Sequence, residues 1–129
     1  MTNMLKHLAE HLEFEGFGRM NTASASGNIF WGVMPDAPDT CICVFSTDSG
    51  YAGSADGGRF QIVTRSPSIK TAYELSQSIA EALAEFTGFL HGDGPDVTID
   101  VINASAQLGP DAKQREEVSS NFTVRYCDY

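Results

Sequence analysis

The side chains that could do chemistry in this chain begin with its histidines and cysteines. His7 and His11 lie four residues apart on a predicted helix, a spacing that can bind a metal, but Leu8 stands where the HExxH zinc motif requires glutamate. We therefore interpret them as two exposed histidines on a polar flank. Cys41 and Cys43 share one face of a predicted strand, and buried free thiols are favoured over a zinc site because few further ligands are available. The sequence predicts no metal site.

Two further stretches could carry nucleotide binding or catalysis. Residues 50–58 are rich in glycine, but no lysine follows them and the next element is a predicted strand, whereas a phosphate-binding loop opens a helix. His91 lies in a glycine-rich turn near Asp93, but the chain has no GxSxG motif to supply a nucleophilic serine. The residues therefore indicate no active site, and we expect a protein that is not an enzyme and needs no cofactor.

Length and charge limit the class of protein further. The 129 residues suffice for one well-buried core, so 1–129 is treated as a single domain. The formal charge of −9 argues against a protein that grips nucleic acid by neutralising phosphates, although a negative wall would let DNA pass without holding it. No apolar run approaches the roughly 20 residues that cross a bilayer, and the N-terminus resembles no signal peptide. We expect a chain made in the cytoplasm, without membrane contact.

Periodicity predicts two helices and five strands. The helices are predicted at residues 3–14 and from Pro67 to about Gly88, and the strands at 28–33, 40–45, 59–65, 97–102 and 117–126. The order αβββαββ predicts an α+β fold, a two-layer sandwich in which a mostly antiparallel sheet of about five strands carries two helices on one face.

The junction between the third strand and the second helix is the most informative pattern. Ser66 is the predicted N-cap and Pro67 the first helical residue. Ser76 would let the helix lie close to the sheet, with its hydroxyl bonded to the carbonyl of Ala72. The predicted apolar stripe of the helix consists of Ile69, Ala72, Ser76, Ile79, Leu83 and Phe86.

Two polar excursions, at residues 46–58 and 103–115, are predicted to be loops that suit contacts with neighbouring subunits. The second would join the last two strands as a long hairpin. Phe30, Trp31 and Tyr51 could anchor subunit contacts, although a place in the core is an equally good interpretation for Phe30 and Trp31.

Three groups of residues carry a resemblance to a known family. They are Gly32-Val33-Met34-Pro35 followed by Pro38-Asp39; Phe60-Gln-Ile-Val-Thr-Arg65 with the helix after it; and Gln107-Leu-Gly-Pro-Asp111, Arg115 and Ser120-Asn121-Phe122-Thr-Val124. Their order and spacing resemble the tail terminator, or tail completion, proteins of long-tailed phages, which are also described as minor capsid proteins. The resemblance covers about residues 4–126.

The resemblance implies a structural protein of the virion tail and neck. Such proteins assemble as a six-membered ring that caps the last layer of tail-tube subunits, stops polymerisation and meets the head-completion proteins, while DNA crosses the lumen. The family offers no catalytic residues. Arg65 and Arg115 are expected to act in an interface or in pairing within the core, and Tyr51 and Arg59 are further candidates for interaction.

Two alternatives remain open at this point. The chain could be another neck or tail-joint component, such as a head-completion protein or a tail-tube subunit. It could also be a small cytosolic enzyme or a regulatory module.

Overall fold

The described part of the chain contains two helices and six strands. The computed structural model describes residues 4–22, 24–46, 58–91 and 94–126. The elements are α1 (Met4–Phe14), β1 (Ile29–Trp31), β2 (Cys41–Ser46), β3 (Gly58–Ser66), α2 (Ile69–Leu83), β4 (Phe86–Phe89), β5 (Asp96–Pro110) and β6 (Glu116–Tyr126). The predicted α+β class is confirmed.

All six strands belong to one sheet, in the order β1-β2-β3-β6-β5-β4. The neighbouring strands are antiparallel except β1 and β2, which run parallel. The sheet is therefore mixed, and the prediction of about five strands lacks β4. The edges of the sheet are β1 and β4.

Both helices pack on the same face of the sheet. The register sets Val44 opposite Ile62 and Phe60 opposite Phe122, and the two phenyl rings stack with centroids 4.9 Å apart. One cluster of buried apolar side chains joins this face to α1 and α2. Alternate residues of central strands thus supply the core, as the two-layer prediction requires.

The helix α2 begins two residues later than predicted. Ser68 is the N-cap, and its hydroxyl accepts the N–H of Thr71 at 3.3 Å. Ser66 is buried at the end of β3, opposite Glu116, and its Oγ accepts the N–H of Ser68 at 3.2 Å. The prediction of Ser66 as N-cap, with Pro67 inside the helix, is wrong because Ser66 is still part of the sheet.

The helix α2 also ends earlier than predicted, and a strand follows almost at once. Leu83 is its last residue, and Glu85 has a φ of 56°, a left-handed conformation that turns the chain. Phe86 begins β4 and pairs with Ile99 of β5. The placement of Phe86 on the helical stripe is wrong, because its spacing of three from Leu83 fits a helix although the helix has already ended.

Most of the polar stretch 103–115 is strand and not loop. The strand β5 continues to Pro110, and residues 111–115 alone connect it to β6. The pairing of β5 with β6 shifts register at three places, and Ser105 has a φ of 56°. The predicted long hairpin is confirmed. The predicted loop is wrong, because bulges and two exposed faces remove the alternation that marks a strand.

A set of hydroxyl groups joins α2 to this hairpin. Ser76 Oγ lies 3.1 Å from Ser120 Oγ and accepts a hydrogen bond from Ser105 Oγ at 3.1 Å. The N–H of Ser105 donates to Ser120 Oγ at 2.9 Å. The carbonyl of Ala72 instead accepts Thr64 Oγ1 at 2.9 Å. Ser76 therefore lies at the helix–sheet contact as predicted, but the expected bond to Ala72 is wrong.

Candidate interaction surface

Two polar segments that are distant in sequence meet at one end of the sheet and form a cluster that we call the clasp. The clasp consists of Asp36 and Asp39 from the Pro-rich turn, and of Asp111, Lys113 and Arg115 from the turn between β5 and β6. The Arg115 side chain is only 6% exposed, and its Nε donates to Asp111 Oδ2 at 2.9 Å. Its Nη1 lies 3.2 Å from Asp39 Oδ1 and also donates to the carbonyl of Asp36. One planar guanidinium thus fixes the Pro-rich turn against the hairpin.

Hydrogen bonds in the clasp favour the ionised carboxylates. The backbone N–H of Arg115, together with its guanidinium and the N–H of Lys113, lowers the pKa of Asp111 from 3.8 to about 2. The ammonium of Lys113 bonds to Asp36 and lowers the pKa of that carboxyl. Asp111 in turn raises the pKa of Arg115. These shifts keep Asp36, Asp111 and Arg115 charged at neutral pH.

Arg65 adds a second buried guanidinium next to the clasp. Its Nη2 donates to the carbonyl of Pro38 at 2.7 Å, while its Nε has no hydrogen-bond partner among the described residues. Arg65 lies opposite Cys41 across the β2–β3 pair. Burial raises the pKa of Cys41 and raises that of Cys43 to about 12. The predicted buried free thiols are confirmed, and they stay protonated, in the form that does not bind metal.

The four residues predicted for interaction do not form one patch. Arg65 and Arg115 both contact the Pro-rich turn. Arg59 is exposed near the start of β3, opposite Thr123 and away from the clasp. Tyr51 lies outside the described residues, as does most of the excursion 46–58. A role of these four residues in subunit contacts stays a prediction.

Each edge strand of the sheet carries an exposed aromatic side chain. Trp31 at the end of β1 is 40% exposed, and Phe89 at the end of β4 is 58% exposed. Phe30 is half-buried. Edge strands can pair with another chain, and aromatic side chains are enriched in the cores of protein interfaces. The sheet therefore presents two unlike edges that could each meet a neighbouring subunit. Phe89 was not among the residues predicted for interaction, because β4 was not predicted as a strand.

Further apolar side chains reach the surface away from these edges. Val33 is 73% exposed and lies just before the Pro-rich turn of the clasp. On α2, Ile69 and Tyr73 are one helical turn apart and both exposed. The other large exposed apolar side chains among the described residues are Phe14, Ile102 and Leu108.

A second polar cluster joins α1 to the turn after β4. His11 is 2% exposed, and its Nδ1 accepts the N–H of His91 at 2.6 Å. Its ring meets the edge of Phe86 with centroids 4.9 Å apart, and burial lowers its pKa. The prediction that His11 is exposed is wrong, because it follows the apolar stripe three residues after Leu8, a signal that the sequence contains.

The same turn brings His91 next to α1. His7 and Glu10 are three residues apart on the helix, and His7 Nδ1 lies 3.2 Å from His91 Nε2. Among the described residues, these three form the one group whose ligand atoms, all within 4.8 Å of one another, could hold a metal. Sequence spacing had paired His7 with His11 instead.

Comparison with known families decides what kind of protein this is. A family model described as bacteriophage tail terminator protein matches residues 11–127, a range that includes all six strands and the clasp. The chain belongs to the bacteriophage tail terminator family. No curated protein matches it. The family is one of structural phage-tail proteins, so the resemblance read from the sequence is confirmed.

The residues that resemble the tail terminator family come together in the folded chain. All three groups that carry the resemblance have members in the clasp or next to it. The first group includes Asp39, the second ends at Arg65, and the third includes Asp111 and Arg115. No helix in the described part of this family member is both long and apolar enough to span a bilayer.

Proposed function

We propose that this chain ends the growth of a phage tail tube by capping it as a six-membered ring. One side of the ring would rest on the last layer of tail-tube subunits, and the other would meet the head-completion proteins of the neck. Residues 1–129 act in this proposal as one tail-terminator-like domain, made in the host cytoplasm and incorporated into the virion, without catalysis or cofactor. The match to the family model over residues 11–127 is the observation that carries it.

The two unlike edges of the sheet support a ring. A cyclic assembly with more than two subunits needs a head-to-tail contact, in which one surface of a subunit meets a different surface of the next. The strand β1 with Trp31 and the strand β4 with Phe89 lie at opposite ends of the strand order. Contact between these edges would let each subunit add the next in one direction until the ring closes.

The charge of the chain supports passage of DNA through such a ring. Each subunit carries 17 acidic and 8 basic residues. A ring with this balance repels the phosphate backbone, so DNA would cross the lumen without being held.

Tube assembly in vitro tests the proposal directly. Tail-tube protein of the same phage is polymerised with and without this protein, and tube lengths are measured by electron microscopy. We expect added protein to shorten the tubes and to form a ring of density at one tube end. An equal amount of heat-denatured protein is the control.

Deletion of the gene in the phage gives the complementary test. We expect overlong tails and heads without tails, with normal particles restored by a plasmid copy. Tails of normal length in the deletion strain would contradict the terminator role and would favour another neck component.

A further inference from the structure

We propose that His7, Glu10 and His91 form a binding site for a divalent transition-metal ion of the class represented by Zn²⁺. The site joins the first half of α1 to the turn between β4 and β5. The inference is independent of the ring proposal, because it concerns one subunit.

The three ligand atoms are spaced as a metal requires. His7 Nδ1 is 3.2 Å from His91 Nε2, Glu10 Oε1 is 3.6 Å from His7 Nδ1, and Glu10 Oε1 is 3.9 Å from His91 Nε2. In a triangle with these edges, the point equidistant from the three atoms lies about 2.1 Å from each, which is the length of Zn–N and Zn–O bonds. An ion at that point would lie within bonding distance of all three atoms once the two imidazoles turn their lone pairs towards it.

The contact between the two imidazole rings brings two ring nitrogens face to face. Without metal, one ring donates an N–H to the nitrogen of the other at 3.2 Å, and a bound cation would take the place of that proton. The rings of His7 and His91 are nearly parallel, with an interplanar angle of 12°. The carboxylate of Glu10 faces both nitrogens and would partly neutralise a bound cation.

The turn that carries His91 is held in place by the rest of the chain. Its N–H donates to Nδ1 of the buried His11 at 2.6 Å. Backbone bonds from Leu90 to Pro95 and from Gly94 to Leu90 close the turn. A Cβ at position 94 would lie 2.7 Å from His91 Nε2, so a side chain at that position would crowd the ligand atom and glycine avoids this. The bond to His11 thus holds the backbone of the third ligand in place.

The donor set selects the kind of ion. Two imidazoles and one carboxylate suit Zn²⁺ and its neighbours in the first transition series better than Mg²⁺ or Ca²⁺, which prefer oxygen ligands. All three side chains are half-buried, so an ion could enter from solvent and take water as a fourth ligand. The thiols of Cys41 and Cys43 are buried and protonated and would not compete.

Titration with metal tests the site. Protein made without a polyhistidine tag is titrated with ZnCl₂ by calorimetry, and with CoCl₂ by visible absorption. We expect one ion per chain and a Co²⁺ spectrum without the intense charge-transfer bands of thiolate ligands. Removal of one ligand, in His7→Ala or in Glu10→Gln, should weaken Zn²⁺ binding at least about tenfold. Saturating Zn²⁺ should raise the melting temperature of wild type, and EDTA should reverse the rise.

Two controls keep the proposal open to refutation. Glu81→Gln removes an exposed carboxylate from α2 and should bind Zn²⁺ like wild type. Circular dichroism in EDTA checks that each variant is folded without metal. The site is refuted if wild type shows no saturable Zn²⁺ binding, in which case His7 and His91 are joined only by a hydrogen bond. It is also refuted if His7→Ala and Glu10→Gln both retain wild-type affinity.

Discussion

Arg115 connects carboxylates from two separate segments through one buried guanidinium, and the charge of Asp111 is central to that contact. Asp111 accepts the N–H groups of Lys113 and Arg115 on one oxygen and the guanidinium on the other. Because its pKa is lowered from 3.8 to about 2, the ionised form stabilises the folded protein. This contribution is complete above pH 3.8 and is lost as the pH falls towards 2.

We therefore predict that Asp111→Asn lowers the free energy of unfolding at pH 6 and that the difference from wild type shrinks as the pH falls below 3.8. Urea denaturation at a series of pH values measures it. Asp100→Asn is the control, because Asp100 is exposed on β5 and lies 3.9 Å from the exposed Arg125. A difference between wild type and Asp111→Asn that stays constant from pH 6 to pH 2 would contradict the assignment.

The hydroxyl of Ser120 is predicted to stabilise the folded protein through two hydrogen bonds. It accepts the N–H of Ser105 and bonds to Ser76 in the interior. Ser120→Ala leaves that N–H without its acceptor and should cost about 1–3 kcal/mol of unfolding free energy, measured by urea denaturation. Ser78→Ala, at an exposed position of α2, should stay within about 0.5 kcal/mol of wild type. Equal effects of the two changes would show that the hydroxyl set contributes nothing specific.

At the scale of single residues, the sequence directed attention to Arg65 and Arg115 but did not show which groups surround them. Arg65 ends a recognisable strand pattern and Arg115 follows a recognisable turn. The residues around Arg115 do not show that its partner Asp39 comes from the Pro-rich turn, about 76 positions earlier. His11 could have been found from its place on the apolar stripe. The contact between His7 and His91 could not be predicted, because it depends on where the chain turns after β4.

At the scale of elements, the start of α2 gives a prediction about helix capping. Ser68 accepts the N–H of Thr71 and has the extended conformation of an N-cap. Ser68→Ala should therefore lower the free energy of unfolding by about 1 kcal/mol, as measured by urea denaturation. Ser68→Asp should retain most of the wild-type stability, because an aspartate also caps a helix and its negative charge suits a helix N-terminus. If both variants lose the same amount, the hydroxyl does not act as a cap.

The element with one buried face, the helix α2, shows a clear period because every third or fourth residue contacts the core. The strand β3 was also predicted, although from Ile62 to Ser66 it is buried on both faces. The strand β4 was missed because its break from α2 is a left-handed Glu85, with no glycine or proline to mark it. The far half of β5 was missed because its exposed residues carry no alternation.

At the scale of the whole molecule, the proposed ring depends on contacts between the two edge strands of the sheet. A contact between β1 of one subunit and β4 of the next can close into a ring, whereas a contact between two copies of β4 stops at a dimer. The aromatic side chains on these edges, Trp31 and Phe89, give a way to block each edge separately. An aspartate at either position would place a charge in the contact without touching the buried core.

We predict that Trp31→Asp and Phe89→Asp are each monomeric under conditions in which wild type forms rings, because every contact in the proposed head-to-tail ring would need one intact edge of each kind. Mixed together, they should form a dimer of twice the 13.9 kDa chain and nothing larger, because each supplies the one edge that the other lacks. Size-exclusion chromatography with light scattering measures the masses, and Tyr73→Asp on α2 should still form rings. If Trp31→Asp dimerises by itself, two β4 edges pair with each other. In that case this head-to-tail contact does not build the ring.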